Sequence, residues 1–274
     1  MLSRLEEARS LDGVTDKLQA AVSAVVKPRW LRDLLHGTPQ GHPLHPVLVQ
    51  VPVGAFISAA VLDLVPGGHR SATTLIGVGT ASVAPAVAAG LVDWSELTRD
   101  RQRLGLVHAT VNVVGVSFYA ASLVARLRGG SGRALSFAGL TVISLGAHLG
   151  GHLSYALGGG VSHAATEMPR VPDDWTSVGE LSTLPERKPA VRTVGDVPVL
   201  LYRDGQTVTA MVERCGHEGG PLGEGAVEED CVVCPWHGST FRLRDGVVVH
   251  GPAAADQPLL RVRVRDGAVE VAHP

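Results

Sequence analysis

The chain has 274 residues, a formal net charge of −2, and 45% hydrophobic against 18% charged residues. That length suits about two domains, and so nearly neutral a chain offers no electrostatic footprint for nucleic acid. Three cysteines are too few for a disulfide-stapled scaffold and fit a reducing compartment or a bound metal. The mean hydropathy of +0.19 averages two unlike halves. Residues 44–157 hold 11 charged residues in 114, whereas 175–274 hold 24 in 100. The first stretch has the composition of a membrane domain and the second that of a soluble one. The expected organisation is an amphipathic segment over 1–43, a membrane domain over 44–157, a Gly-, Pro- and acid-containing linker over 158–174, and a soluble domain over 175–274. No internal repeat is visible in the sequence.

In the first segment Val14, Leu18, Val22 and Val25 recur at helical spacing, with Asp16 and Lys17 off the stripe. Pro28-Arg29-Trp30-Leu31 then opens a second short helix that ends near Gly37. The apolar region starts too late for a signal peptide, and no small-residue cleavage site follows it. Two such helices suit the membrane surface, or packing against a bundle.

Four charge-poor apolar runs follow, near Pro46–Val65, Ser71–Asp93, Leu106–Val124 and Leu135–Leu157. Each has about 20 residues, enough for a helix to cross about 30 Å of hydrocarbon. A very apolar soluble helical core is the alternative, and four such runs in succession count against it. Small residues are dense in the second and fourth runs, including Gly146-x-x-x-Gly150, which permits close helix packing.

Four spans put both termini on one side. Lys27, Arg29, Arg32, Arg99, Arg101, Arg103 and Arg170 lie there, against Arg70, Arg126, Arg128 and Arg133 opposite. That excess, with no twin-arginine signal, predicts a bacterial plasma-membrane protein whose termini and soluble domain are cytoplasmic.

The same topology gathers histidines at one membrane face. His42 and His45 precede the first span, His108 lies one turn into the third, and His148 and His152 share one face of the fourth. Ionisable groups inside a span are costly and are functional candidates. His45, His108, His148 and His152 could ligate a haem b iron, hydrogen-bond a quinone, or simply pack. Asp63, near the far end of the first span, reads as a snorkelling or capping residue. The block resembles a bacterial four-helix membrane domain of unknown function, through Gly41-His42-Pro43-Leu44-His45-Pro46 and Gly150-Gly151-His152-Leu153-x-Tyr155.

The soluble half carries the strongest signal. Cys215-Gly216-His217 is followed by Cys234-Pro235-Trp236-His237-Gly238-Ser239. A Cys-x-His and a Cys-x-x-His pair on Gly- and Pro-rich loops can enclose a [2Fe–2S] cluster. The rival is a Cys₂His₂ zinc site, which usually pairs like with like. Gly219, Gly220, Pro221, Leu222 and Gly223, with Gly238, would let backbone N–H groups approach cluster sulfurs. Runs Pro198–Tyr202, Thr207–Val212 and Leu260–Val264 alternate as short strands do.

Residues 175–274 resemble a Rieske ferredoxin domain, through both boxes, Gly195-Asp196-Val197-Pro198-Val199 and Gly246-Val247-Val248. The resemblance implies a small antiparallel β-sandwich with the cluster at its tip. Cys215 and Cys234 would ligate one iron, and His217 and His237 the other. It also implies that the ligand imidazoles couple proton uptake to reduction. High-potential relatives carry an extra disulfide where this chain has Gly220 and Trp236, and a Tyr where it has Phe241, although Ser239 remains. The lower-potential ferredoxin type is therefore implied. Cys231 is a spare, half-buried strand cysteine, and His163, His250 and His273 are expected to face solvent.

The expected fold is thus a multidomain membrane protein, a four-helix transmembrane α bundle followed by an all-β Rieske-type antiparallel sandwich. The expected function is membrane-anchored single-electron transfer between a cytoplasmic redox partner and the membrane, as a component of an oxidoreductase system. A redox sensor, or a ferredoxin serving a partner oxygenase, are the alternatives. An oxygenase by itself would need a second iron domain with a two-His, one-carboxylate site, for which this chain has no room.

Overall fold

The computed structural model describes residues 2–274, which form two compact units. One comprises residues 2–27 and Leu44–Gly159, the other Pro28–Pro43 and Gly160–Pro274. The chain therefore passes between them three times.

In the first unit, α1 (Ser3–Glu6) and α2 (Asp12–Val25) precede the spans. Thr15 and Val22 are buried, while Val14 and Val25 are 55% and 76% exposed. The packed face is thus rotated from the expected Val14–Val25 stripe, and polar contacts set the rotation. Gln19 donates to Ser95 O (2.6 Å), Asp12 accepts from Arg103 Nε (2.7 Å), and Asp16 pairs with Arg99 (2.8 Å).

Among the described residues, four helices are long and apolar enough to cross a membrane: Leu44–Leu64, His69–Ser95, Arg99–Leu127 and Arg133–Ala156. The first is broken into α4 (Leu44–Leu48) and α5 (Gln50–Leu64), because Pro52 has no N–H to return to the Leu48 carbonyl. The others are α6 (His69–Ser95), α7 (Arg99–Leu127) and α8 (Arg133–Gly151), with α8 continued by a π turn over His152–Ala156. Ile57, Val61, Val113 and Leu145 are at least half exposed, an apolar outer face that suits lipid.

The interior shows a two-fold correspondence that the sequence conceals. The Phe56 and Tyr119 rings stack at 3.7 Å, and Phe56 fills a notch at Gly79 while Tyr119 fills one at Gly139. One turn or two further on, Asp63 and Arg126 form a bidentate ion pair with both side chains fully buried. Phe56/Tyr119 and Asp63/Arg126 are both 63 positions apart, and Gly79/Gly139 are 60 apart. The α5–α6 and α7–α8 hairpins are therefore equivalent, the second three residues shorter at its turn. Asp63 neither snorkels nor caps, since a carboxylate this deep is tolerable only against a matched cation.

In the second unit, α3 (Arg29–His36) joins ten strands. They are β1 (Thr176–Glu180), β2 (Pro189–Val194), β3 (Val197–Asp204), β4 (Thr207–Val212), β5 (Ala226–Glu228), β6 (Cys231–Val233), β7 (Thr240–Arg242), β8 (Val248–His250), β9 (Arg261–Arg265) and β10 (Ala268–Ala272). The sheet orders are β1-β10-β9, β2-β3-β4 and β5-β6-β7-β8, all antiparallel. Strand β3 is buried on both faces, so its apolar run is unbroken. Val199 and Leu201 enter one core with Val269 and Val271, and Leu200 enters the other with Met211, Val232 and Phe241. Each fully buried Val or Leu contributes about 1.5–3 kcal/mol, which fixes the register of the strands that carry the site loops.

Candidate metal centre

Two loops leave the second core side by side. One joins β4 to β5 and carries Cys215 and His217, and the other joins β6 to β7 and carries Cys234 and His237. They fold alike. Cys215 N donates to Gly220 O and Gly219 N to Cys215 O, while Cys234 N donates to Ser239 O and Gly238 N to Cys234 O, all at 2.8–3.0 Å. Gly219 and Gly238 both sit at φ near +75°, a conformation that only glycine adopts without strain.

This folding brings like donors together. Both thiols are buried and hydrogen-bonded to each other, and the His217 and His237 rings lie 5.0 Å apart, edge to face. The hydrogen bond from Cys215 favours the Cys234 thiolate, helped by the N–H groups of Trp236 and His237 against the opposing effect of burial, so its pKa falls to about 6. The same pairing, with burial, pushes Cys215 up. The His217 N–H and the Ser239 hydroxyl also reach Cys215 Sγ.

That donor set fits a binuclear cluster. Every sulfur already faces two donors able to stabilise added charge, and a Cβ at Gly220 would come within 2.9 Å of Cys234 Sγ and 3.0 Å of the Trp236 ring. Among the described residues no three His, Cys, Asp or Glu side chains converge as a single-ion site. The donors come instead as a thiol pair and an imidazole pair. Gly220 and Trp236 touch, so the positions of the relatives' extra disulfide are adjacent here but filled by a glycine–indole contact.

No spacing in the sequence marks the residues that hold these loops. Buried Gln257 donates to Val212 O and Arg214 O, both 2.7 Å, and accepts from Gly216 N at 3.1 Å. Ser239 Oγ accepts from Ala253 N at 3.0 Å. Helix α3 flanks the second loop. Arg29 donates to Thr240 Oγ1 (3.3 Å), and Asp33 accepts from His250 Nδ1 (2.8 Å) and Gly251 N (3.0 Å). Arg29, Arg32 and Asp33 line a cleft of about 300 Å³ with His237, Gly238 and Gly251. His250 is therefore partnered rather than solvent-facing, and His163 and His273 are also half-buried, because the chain folds back over each. Cys231 is half-buried on β6, opposite Arg242 on β7, and burial raises its pKa.

The membrane histidines do not form one cluster. His45 donates from Nδ1 to Ala86 O and His108 from Nδ1 to Gly146 O, both 2.8 Å. His148 is exposed on the outer face, and His152 Nε2 lies 3.5 Å from Glu6 Oε1.

Residues 174–264 match the Rieske [2Fe-2S] domain. The anthranilate 1,2-dioxygenase ferredoxin subunit of Burkholderia cepacia is 34% identical over 98 residues, 36% of this chain and 91% of that protein. The chain belongs to the Rieske [2Fe-2S] family. Ferredoxin CarAc of Metapseudomonas resinovorans is 33% identical over 82 residues, 30% of this chain and 77% of that protein. A solved structure, the ferredoxin of carbazole 1,9a-dioxygenase from Nocardioides aromaticivorans IC177, is 25% identical. It covers 36% of this chain and 98% of its own, with a TM-score of 0.35. Residues 41–163 match a predicted membrane protein family (DUF2231). The chain is thus a Rieske ferredoxin-like electron-transfer domain fused to a membrane domain, and a Rieske domain implies a [2Fe–2S] cluster.

Proposed function

We propose that this chain is a membrane-anchored electron-transfer protein that passes single electrons between a cytoplasmic redox partner and the membrane. Cys215 and Cys234 hold one iron of the cluster, and His217 and His237 hold the other. The paired thiols and paired imidazoles on two matched loops carry this reading. When bound, the cluster supplies one-electron chemistry at a potential raised by imidazole ligation. The protein's part is electrostatic. The N–H groups of His217, Trp236 and His237 and the hydroxyl of Ser239 point at the ligand sulfurs and favour the more negative state. The half-buried imidazoles and the exposed Trp236 form the surface through which a partner gains access.

Four spans return the chain to the side from which it entered, and the Lys and Arg excess makes that side cytoplasmic. Arg126 is consumed by Asp63, so one fewer cation counts for the opposite side. The histidine-bearing end of the bundle is the place for a second redox group, haem or quinone. A second reading, a ferredoxin serving a partner oxygenase, draws on the dioxygenase systems named for the relatives.

The test is iron and sulfide analysis with EPR of the reduced full chain. Two iron and two acid-labile sulfide per chain are expected, with a Rieske-type signal lost in Cys215→Ala and His237→Ala. A chain that holds zinc and no sulfide would overturn the proposal. Reduction of membrane quinone or haem by the loaded chain supports the first reading over the oxygenase-serving one.

A further inference from the structure

The two-fold correspondence of the bundle extends to its histidines. His45 and His108 are 63 positions apart, like the stacked Phe56/Tyr119 and the ion-paired Asp63/Arg126. Their seats match in detail. His45 binds Ala86 O and lies over Gly90, where a Cβ would meet its ring at 2.7 Å. His108 binds Gly146 O and lies over Gly150, where a Cβ would meet its ring at 2.9 Å. In each hairpin the carbonyl and the glycine are four residues apart on the second helix, one turn, so carbonyl and notch act as one socket.

Two equivalent pairs already meet across the axis. The third, His45/His108, stands eleven positions before the stacked Phe56/Tyr119, three helical turns back on the same faces.

The sockets fix the chemistry of both rings. A carbonyl oxygen only accepts, so each Nδ1 carries the proton and each neutral imidazole keeps its lone pair on Nε2. Asn112 Nδ2 lies 3.4 Å from both nitrogens of His108. Equidistance places that amide over the ring face, not in the plane of the Nε2 lone pair, and its short bond goes to His108 O at 2.9 Å. An Nδ1–H held by a carbonyl is the usual support of a metal-ligating histidine, because it orients the ring and makes Nε2 more basic. A quinone carbonyl would need a donor, which neither Nε2 offers.

We propose that His45 and His108 are paired ligands, through Nε2, of a metal centre on the two-fold axis of the membrane domain. The shared chemistry is a Lewis acid that takes two imidazoles, either a haem iron or a bare divalent transition metal. His148 and His152 are not part of it. The proposal deepens the electron-transfer reading and rests on it for its role, while its test is separate.

The test uses the full chain, purified in detergent from haem-replete cells. It combines a reduced-minus-oxidised optical spectrum, metal analysis and cluster EPR. Metal beyond the two iron of the cluster is expected. Low-spin haem bands identify haem iron, and an extra divalent metal without them identifies a bare ion. His45→Ala and His108→Ala should each lower that extra metal at least tenfold while the cluster EPR signal stays, which also reports folding. His148→Ala should keep it, and added imidazole should restore it in His108→Ala. A wild-type chain with an intact cluster signal and no further metal would overturn the site, as would a bound hydroquinone in place of metal. Extra metal without a cluster signal would support this site and instead sink the Rieske ligand assignment.

Discussion

Replacing Gln257 tests whether the cluster loop is held from behind. This side chain is 2% exposed and makes three hydrogen bonds to the backbone of residues 212–216. Each bond is worth about 1 kcal/mol net, so Gln257→Ala should cost about 3 kcal/mol, less if a water enters the gap. Gln257→Glu is nearly isosteric but sharper. It keeps the acceptor for Gly216 N and sets a second oxygen against two carbonyl oxygens that the amide met at 2.7 Å. A protonated carboxyl could satisfy only one of them, and an ionised one would be buried without a partner. The glutamate variant should therefore be at least as damaged as the alanine. The assay is thermal bleaching of the cluster's visible absorption in the full chain in detergent. For a domain of this size, about 3 kcal/mol lowers the midpoint by roughly 12–20 °C. Alanine within about 1 kcal/mol of wild type, or glutamate milder than alanine, would refute the reasoning.

Ser239→Ala removes a hydroxyl from Cys215 Sγ. A lost bond of about 1 kcal/mol lowers the midpoint potential by about 40 mV, read by redox titration with EPR, and an unchanged potential would argue against that contact. Asp63→Ala leaves the buried Arg126 without its counter-ion and should cost about 3–5 kcal/mol of bundle stability in detergent, while Arg126→Ala leaves Asp63 the half-exposed Arg133 at 3.8 Å and should cost less. The double Asp63→Leu/Arg126→Leu variant should recover most of that, and additive losses would show that the two charges are not coupled. Cys231→Ala should keep full iron, sulfide and EPR signal, since its thiol stands on β6 opposite Arg242. Loss of the cluster there would make it a ligand. Asp33→Ala removes the acceptor of His250 and Gly251, and should raise protease sensitivity around 27–43. Unchanged cleavage would mean that α3 is held by other contacts.

Much of this protein was legible in its sequence because the relevant signals are local. Hydrocarbon thickness is fixed, so four apolar runs of about 20 residues announce four spans without any knowledge of packing. The short spacings Cys215-x-His217 and Cys234-x-x-His237 likewise carry their meaning within one loop each. The Arg–Val alternation of β9 needs only the pleat, whereas β4 ends in three residues buried on both faces.

What tertiary structure alone decided lies between distant positions. Gln257 reaches the first cluster loop from 41 residues away, and Asp33 reaches His250 from 217 away, so neither leaves a spacing to read. The sequence placed Asp63 at a helix end and Arg126 in a loop. Only the facing hairpins show them as one buried pair, since a charge in an apolar interior is defined by its partner. The duplication is invisible for the same reason. Phe faces Tyr, Asp faces Arg, and Ala86 answers Gly146, so beyond His45/His108, Gly79/Gly139 and Gly90/Gly150 the hairpins share contacts rather than residues. Composition and spacing determined what the chain contains, and packing decided which of its membrane histidines stand in matching seats.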